Sequence, residues 1–291
     1  MKGRTKEFPK PSCSLKVILS RKGSKAIIFR RGPSNWVRLI LWDTKADTFE
    51  LGQWFHGHIY ANRSDLSPDG SLLIYFANKF NQKTIKDKEY TYAWTAISKP
   101  PYLTALALWP KGNCWHGGGL FRSGKEVFLN HRPSVSKPHP DHKPSPRLSI
   151  VPNPSASGED GPIWSARMAR DGWSLVKPGK LDWHPKTFVA SKEPDLIEKR
   201  SQDGKQRLQV ELFHEGMKEV WWAFLAEGSK RREIAVGTWA DFDQRGRLVY
   251  AMEGRLMACE LENGDIKHHE IADFSKQKPE AIKAPSEATR W

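Results

Sequence analysis

The chain has 291 residues and a formal net charge of +14, and 38% of its residues are apolar against 27% charged. This composition is typical of a globular protein and excludes a largely disordered chain. The longest apolar runs are far shorter than the ~20 residues that span a bilayer, so we expect no membrane partner. Most of the excess charge lies early, because residues 1–40 hold eleven basic residues and one acidic residue, a net +10.

The beginning of the chain and its cysteines indicate the compartment. Residues 1–12 are basic and polar with no apolar stretch behind them, so they are expected to form a flexible tail and not a secretory signal. The three cysteines, Cys13, Cys114 and Cys259, lie far apart. An odd and sparse set argues against a disulfide framework and favours a cytoplasmic protein.

From residue 13 onward, short apolar runs alternate with turns that contain Gly, Asp or Asn, which predicts strands almost throughout. No segment keeps an apolar i, i+3, i+4, i+7 stripe for four turns, so the fold class is predicted to be all-β. The clearest strand-like runs are at 15–19, 26–29, 37–42, 72–76, 126–130, 220–225, 247–252 and 255–261.

One motif recurs along the chain: an apolar residue, a turn with glycine, and then a strand. A second hairpin type alternates with it, as in VRLILWD at 37–43 followed by FEL at 49–51. Two alternating hairpins make a four-stranded unit, and the spacings of 32 to 54 residues between the motif glycines bracket the ~40–50-residue period of propeller blades. The motif is at 65–75 (DLSPDGSLLIY), 167–176 (RMARDGWSLV) and 241–251 (DFDQRGRLVYA), with weaker copies around Gly23, Gly124 and Gly204.

These repeats resemble known propeller families. LSPDGSLLIYFA at 66–77 resembles the repeat of TolB-type propellers, and LILWDTKADTFEL at 39–51 is similar to the strand-turn-strand of WD40 blades. Other copies depart from the pattern, since Gln244-Arg245 replaces Pro-Asp in the last one. The resemblance covers residues 13–274 as architecture and implies a β-propeller of about five four-stranded blades. The whole chain is also similar to uncharacterised bacterial propeller-like proteins; neither resemblance transfers a functional residue.

Two segments stand outside the repeats. Residues 131–162 contain eight prolines and predict a mobile proline-rich loop insertion, and residues 275–291 are polar and predict a flexible C-terminal tail. If the ring closes, the last strand should pair with material near residues 13–31. A two-sheet β-sandwich with chance glycine turns is the alternative architecture.

No nucleophile elbow, His-Glu-x-x-His motif, Walker A loop or Rossmann fingerprint occurs in the sequence. The sequence therefore favours a non-enzymatic protein, with no catalytic residue, cofactor or metal site assigned. Imidazole and carboxylate groups in the proline-rich insertion could ligate zinc, but the flanking prolines keep the chain extended, so a solvated loop is expected. These groups belong to His131, His139, Asp141 and His142.

The segment CWHGGG at 114–119 has two further interpretations. Cys114 and His116 would face the same side of a strand and could pair as thiolate and base, although a packed cysteine is favoured. The three glycines lack the Gly-Lys-Ser/Thr of a phosphate-binding loop. We therefore expect a bend at the entry to a strand, where the backbone passes close to the central channel of the propeller.

Aromatic and histidine residues beside loop signals are the predicted partner-binding anchors, because Trp and Tyr near Arg make good contacts at protein interfaces. Most of the thirteen tryptophans are instead expected to fill the space between blades. The predicted anchors are Trp54, His56, His58, Trp115, His116 and Trp183.

The basic start of the chain interleaves cations with an aromatic residue. Such a patch suits either an acidic protein surface or a phosphate backbone. A solvated basic face that only supports solubility is the third interpretation. The predicted basic patch consists of Arg21, Lys22, Lys25, Arg30, Arg31, Trp36 and Arg38.

The sequence leaves three functions open. The favoured one is a non-enzymatic β-propeller interaction module that binds a protein partner, as a subunit of a bacterial complex or an immunity-like binder. The second is a nucleic-acid-associated subunit that uses the basic N-terminal sector. The third is a hydrolase or lyase with a dispersed central site, since propeller active sites collect residues from many blades. The sequence does not indicate the oligomeric state.

Overall fold

The computed structural model is mostly β, as the short apolar runs predict. Its described strands form five sheets that follow one another along the chain. The predicted N-terminal tail, residues 1–12, lies outside the described residues, as does Trp183. The structure describes residues 13–182, 190–216, 218–228, 230–262 and 265–291.

Sheets A, B and E are four-stranded antiparallel meanders, each built from strands that are consecutive in the chain. Sheet A contains β1 (Ser14–Leu19), β2 (Lys25–Arg31), β3 (Trp36–Asp43) and β4 (Thr48–His56). Sheet B contains β5 (His58–Leu66), β6 (Leu73–Asn78), β7 (Ala93–Ser98) and β8 (Ala107–Pro110), with the short helix α1 (Gln82–Lys86) between β6 and β7.

Sheets C and D depart from the predicted four-stranded unit. Sheet C has three strands and sheet D has seven described strands, and one sheet of the structure curls into a half-barrel. Sheet C contains β9 (Gly119–Phe121), β10 (Glu126–Leu129) and β11 (Ser149–Pro152). The helix α2 (Gly161–Arg170) precedes sheet D, which contains β12 (Trp173–Lys177), β13 (Lys180–Asp182), β14 (Ala190–Glu193), β15 (Asp195–Arg200), β16 (Arg207–Glu215), β17 (Lys218–Glu227) and β18 (Lys230–Gly237). Sheet E contains β19 (Trp239–Phe242), β20 (Leu248–Met252), β21 (Arg255–Glu262) and β22 (Asp265–Asp273).

The glycine motif forms the same turn in three of its copies. At Gly70, Gly204 and Gly246 the amide donates to the carbonyl three residues earlier, and φ is +77°, +72° and +79°. L residues rarely adopt these angles, so the turn requires glycine. An aspartate in each turn, such as Asp69, accepts a further amide two residues on. The turn is therefore built from side chains that the motif supplies.

The copy of the motif at 167–176 departs from the prediction. Gly172 has the expected positive φ of +88° and β12 follows it, but the residues before it form α2 in place of a strand. Pro162 stands in the first turn, where its missing amide costs nothing. The helix buries Ile163 and Arg167 on one side, four residues apart.

Neighbouring sheets share apolar clusters. One cluster joins sheets A, D and E, a second joins A and B, and a third joins B and C. The strand β2 contributes residues to two of these clusters. Ala26 and Ile28 face one cluster and Ile27 and Phe29 face the other, as the alternation of side chains along a strand requires. Sheet A is therefore buried on both faces.

The first strands of the sheets lie near one another. β1 packs beside β5 and beside β19 and β20, β5 packs beside β9, and α2 lies against β5, β9 and β12. Among the described strands, however, β1 pairs only with β2 and β22 only with β21. The predicted pairing of the last strand with residues 13–31 is therefore wrong, and sheets A and E meet through side chains.

The proline-rich segment 131–162, expected to be a mobile insertion, contacts sheets B and C through backbone hydrogen bonds. It supplies β11, which runs parallel to β10, and a 3-10 turn at Pro133–Val135. Its backbone is tied to β8, since the His139 amide donates to Leu108 and the Leu108 amide donates to His142. Prolines suit this segment because few of its amides are needed for sheet pairing.

Residues 274–291, the C-terminal strap, run across sheets A and B, where a flexible tail was expected. A buried alanine, Ala288, and a series of side-chain hydrogen bonds hold the strap. The hydrogen bonds join Arg38 to Gln277 and Glu280, Gln53 to Ile282, Lys99 to Glu287 and Arg290, and Trp291 to Lys143.

No helix among the described residues is long and apolar enough to cross a membrane.

Candidate functional site

A central cavity of about 460 Å³ lies where the first strands of sheets A, B, D and E meet α2. This volume is within the ~300–1,000 Å³ typical of ligand pockets. Its wall combines indole rings with charged side chains from elements that are far apart in sequence. The tryptophans are Trp164, Trp173, Trp221 and Trp239, and the charged side chains include Lys16, Arg21, Arg167, Arg170 and Lys199.

Arg167 stabilises an irregular stretch of β5 at the cavity wall. The pairing of β5 with β6 shifts between Tyr60 and Asp65, which frees backbone carbonyls. The buried Arg167 guanidinium donates through Nη1 to the carbonyls of Ala61 and Ser64. Burial lowers its pKa, partly offset by the carboxylates nearby. Among the described residues no carboxylate bonds it directly.

Arg170 of the cavity wall holds the buried carboxylate of Asp65, which is not itself part of the lining. Its Nη1 and Nη2 donate to the two oxygens of Asp65 at 2.7 and 2.9 Å, and its Nε donates to Asp171 at 2.8 Å. Burial raises the pKa of Asp65 above the ordinary carboxyl value, and Arg170 acts against that rise. Burial also works against the charge of Arg170, but the two carboxylates outweigh it and raise its pKa. The bidentate geometry is that of an ionised pair.

Two further ion pairs complete the wall. Lys199 Nζ lies 2.6 Å from Asp241. Lys16 pairs with Glu219, which also accepts a hydrogen bond of 2.6 Å from Asn62. Burial alone would raise the pKa of Glu219, but Lys16 and Asn62 lower it to about 2. Burial raises the pKa of Asp241 and Lys199 acts against that rise, so only Glu219 of these two carboxylates has a lowered pKa.

The lining of the cavity consists of indole rings, cations and paired carboxylates. Its lining contains no histidine or cysteine among the described residues. Its carboxylates are engaged by cations, which leaves none as a free general base. By contrast, Arg167 meets only backbone carbonyls, and Arg21 donates through Nη2 to the carbonyl of Phe121 at 2.9 Å. Two guanidinium groups therefore lack a carboxylate partner in the described structure.

The predicted basic patch divides into buried and exposed parts. Arg30 and Arg38 are only 1% and 3% exposed, because the C-terminal strap covers them. Both guanidiniums lie over the ring of Trp54, at 5.2 and 5.4 Å, so this predicted anchor packs between two cations. Arg21, Lys22 and Lys25 are exposed, as predicted for a basic surface.

The other predicted anchors of sheets A and B lie in a row. The His56 ring stacks on Trp36 at 4.6 Å. The guanidinium nitrogens of Arg31 lie 3.0 and 2.7 Å from the two ring nitrogens of His58. Burial and the charges of Arg31 and Arg63 lower the pKa of His58 to about 3, so this ring is neutral at physiological pH. His58 is a half-buried side chain held against Arg31, whereas His56 is exposed and stacks on Trp36.

Arg63 is a fully buried cation that the sequence did not single out. It donates to Asp160 at 2.6 Å, just before α2, and to the backbone of the segment after β8. Its guanidinium also lies 4.4 Å from the Tyr60 ring. It therefore joins sheet B, the loop before sheet C, and α2. The backbone acceptors are the carbonyls of Cys114 and His116, at 2.6 and 2.9 Å.

The glycines at 117–119 form the predicted bend at the entry to β9. Gly118 has a φ of +77°, and a Cβ there would lie 2.0 Å from the carbonyl oxygen of Arg63. Cys114 and His116 do not pair as thiolate and base, the interpretation that the sequence disfavoured. His116 has a φ of +43° and its Nε2 faces Lys111, whereas Cys114 Sγ accepts from Asn78.

The histidines of the proline-rich segment are packed, which corrects the expectation of a solvated loop. His131 and His139 are buried. His131 bonds Thr95 and Val135, and burial lowers its pKa to about 4. The His142 ring lies 3.0 Å from the carbonyl oxygen of Ala105.

The structure brings Glu89, which the sequence did not suggest, to His139 and Asp141, so that three possible metal ligands lie within 4.8 Å of one another. The His139 Nδ1 accepts from the Asp141 amide at 3.2 Å, and its Nε2 lies 3.3 Å from Glu89. The Tyr90 ring stacks on this imidazole at 4.3 Å. Both ring nitrogens are therefore engaged within the protein, which is the arrangement of a structural histidine.

No known protein family matches the chain, and no curated protein matches it in sequence. The resemblance of its repeats to TolB-type and WD40 propellers therefore stays a sequence-based expectation. Function must therefore be inferred from the residues of the site itself.

Proposed function

We propose that this protein is a non-enzymatic binding module of β-propeller architecture that takes a small anionic ligand into its central cavity. Sheets A to E would be about five blades, with α2 between the third and the fourth. The sharing of apolar clusters by neighbouring sheets and the packing of β1 beside β5 and β19 support this arrangement.

The proposal of an anionic ligand depends on the two guanidinium groups that have no carboxylate partner. Arginine presents a planar set of donors that matches carboxylates and phosphates. Arg21 and Arg167 lie on the same cavity wall, beside the pair formed by Arg170 and Asp65. The tryptophans of the cavity add apolar area for the body of the ligand. A ligand with one acidic group and a body that can pack against indole rings fits this lining best.

Binding is favoured over catalysis because the acidic groups around the cavity are already paired. A general base needs a carboxylate or an imidazole that can reach substrate. Here Asp241 is bonded by Lys199 and Glu219 by Lys16. We therefore assign these residues to shaping the site and not to a reaction.

Isothermal titration calorimetry with glucuronate and glycerol 3-phosphate, and with glucose and glycerol as neutral counterparts, tests the proposal. We expect the acids to bind and the neutral compounds to bind at least tenfold more weakly, as for the loss of a charged hydrogen bond. Met168→Trp should fill the cavity and abolish binding, and Arg21→Gln should weaken it. Lys22→Gln is the matched control on the exposed surface. Equal affinity of wild type and Met168→Trp would rule out the cavity.

A protein partner is the second candidate, and exposed apolar side chains of sheet D favour it. Leu175, Val176 and Leu181 are each more than half exposed on β12 and β13, which end the path of paired strands in this sheet. Exposed apolar groups at a sheet end are typical of protein contacts. Affinity purification from the native cells should lose the partner with Leu175→Asp/Val176→Asp and keep it with Arg21→Gln.

A further inference from the structure

A second cluster of cations lies at the entry to sheet C, away from the residues that line the cavity. We call Lys111, His116 and Arg132 the cationic recess. Lys111 Nζ lies 3.5 Å from His116 Nε2, and Arg132 Nε donates to the carbonyl of Ala156 at 3.2 Å. The backbone of His116 is fixed by Gly158, which accepts from its amide at 2.9 Å.

The recess holds like charges together without an acidic partner. Among the described residues, neither Lys111 nor Arg132 forms an ion pair, and Glu159 and Asp160 are engaged by Arg63. Burial, together with the charges of Arg132 and Arg63, lowers the pKa of Lys111 to about 8. Cations held close together in a partly desolvated place are unfavourable unless an anion joins them.

His116 supplies a further polar atom to this recess. Burial and the nearby cations lower its pKa, so the ring is neutral at physiological pH. If Nε2 accepts from the Lys111 ammonium, the ring proton is on Nδ1. His116 Nδ1 has no hydrogen-bond partner within the described structure. The Nε2 of the imidazole thus faces Lys111, whereas its Nδ1 lacks a hydrogen-bond partner among the described residues.

Trp115 gives the recess an aromatic surface. Its side chain is 65% exposed, the largest exposure of any tryptophan described. Its amide donates to Asn113 Oδ1 at 3.1 Å, and the same oxygen accepts from Lys111 Nζ, so the loop is ordered while the ring faces solvent. An exposed indole beside cations is the combination that takes a nucleobase and its phosphate.

We propose that the cationic recess binds the phosphate of a nucleotide and that Trp115 stacks on its base. The shared chemistry is a phosphate next to a base, which a free mononucleotide or the end of a single-stranded nucleic acid can supply. Lys111 and Arg132 contact the phosphate oxygens, and His116 supports the Lys111 ammonium. This site is independent of the cavity and does not require the ligand proposed there.

The proposal has a thermodynamic consequence that a merely structural cluster would lack. A bound phosphate raises the pKa of Lys111, which lies at about 8 in the free protein. At pH 8 the lysine is about half protonated, so binding takes up a proton. Calorimetry of AMP binding in two buffers with different ionisation enthalpies should therefore give different apparent enthalpies at pH 8.

Quenching of tryptophan fluorescence by AMP, adenosine, inorganic phosphate and a 10-nucleotide single-stranded RNA tests the assignment. We expect AMP to bind at least tenfold more tightly than either adenosine or phosphate. Lys111→Met and Arg132→Gln should each weaken AMP about tenfold, as for one charged hydrogen bond. Lys125→Met, at an exposed lysine of the next hairpin, is the control and should bind as wild type.

Comparing the binding of RNA with that of AMP distinguishes the two possible sources of the nucleotide. Tight RNA binding that falls with added salt, with AMP weak, assigns the recess to nucleic-acid ends. Tight AMP binding without a gain for RNA assigns it to free nucleotides. Arg132 is exposed, so Arg132→Gln should stay folded even where Lys111→Met does not. If neither probe binds, or if Arg132→Gln binds both as wild type does, the proposal is overturned.

Discussion

The central cavity and the cationic recess use the same kinds of charged side chain in opposite ways. Around the cavity, Arg170, Lys199 and Lys16 each hold a carboxylate. In the recess, Lys111 and Arg132 have none among the described residues. A paired cation stabilises the fold, whereas an unpaired and partly desolvated cation is available to bind an anion from solution. The difference separates cations that stabilise the fold from cations that can meet a ligand, and Arg21 and Arg167 of the cavity belong to the second group.

Breaking a cavity pair should give the largest loss of stability. Asp65→Ala leaves the Arg170 guanidinium without its bidentate partner in a buried place. We expect the free energy of unfolding to fall by about 3–5 kcal/mol in urea denaturation. Glu126→Gln, in the half-exposed pair with Arg122, should cost less than about 1 kcal/mol. Similar losses in both variants would remove the distinction between the pairs.

The Lys16–Glu219 pair should make stability depend on acid pH. The pKa of Glu219 is lowered from 4.5 to about 2, so its contribution is complete above pH 4.5 and is lost as the pH falls toward 2. That shift corresponds to about 3 kcal/mol. Urea unfolding at pH 7, 4 and 3 should show that Glu219→Gln is less stable at pH 7 and that the gap narrows at pH 3. A gap that stays constant would contradict the ionised pair.

Phosphate should stabilise the protein through the recess. If inorganic phosphate binds with a dissociation constant near 10 mM, 100 mM phosphate adds about 1.4 kcal/mol to the free energy of unfolding. Thermal unfolding in phosphate, against chloride at equal ionic strength and pH 7, should then rise by about 2–4 °C. Lys111→Met should lose this rise and Lys125→Met should keep it. An equal rise in both variants would place the anion elsewhere.

The smallest effect is expected where a paired carboxylate is exposed. Glu280 of the C-terminal strap bonds Arg38 at 2.7 Å but is mostly exposed. Arg38 also donates to Gly52 and Gln277, so Glu280→Gln leaves it satisfied. We expect a change below about 1 kcal/mol in the free energy of unfolding. A loss of several kcal/mol would mean that the strap carries much of the stability of sheet A.

Much of the architecture could be predicted from local signals. Strand alternation and the glycine turns depend on neighbouring residues, so the mostly β fold and the turns at Gly70, Gly204 and Gly246 follow from the sequence. The helix α2 was missed because the Gly172 motif looks the same after a helix as after a strand. The signal that could have revealed it is Pro162 at the start of the helix, followed by the buried Ile163 and, one turn later, Arg167.

The candidate sites could not be predicted in the same way. Asp65 and Arg170 are 105 residues apart, and nothing in the sequence near either residue indicates that the two are in contact. Arg30 and Arg38 look like surface cations because charge alone does not reveal burial, which here comes from a strap more than 230 residues later. Lys111 and Arg132 are likewise distant in the sequence and lie in one recess only in the folded protein. Long-range contacts decide which cations are paired.

The side chain of Arg63 ties three parts of the chain together, and this limits how the molecule can open. The bonds to Asp160 and to the carbonyls of Cys114 and His116 break together when that guanidinium is exposed to water. Sheet B, the loop before sheet C and α2 should therefore open as one unit in native-state hydrogen exchange. The amides of His116 and Trp164, on separate segments, would then exchange with the same free energy of opening.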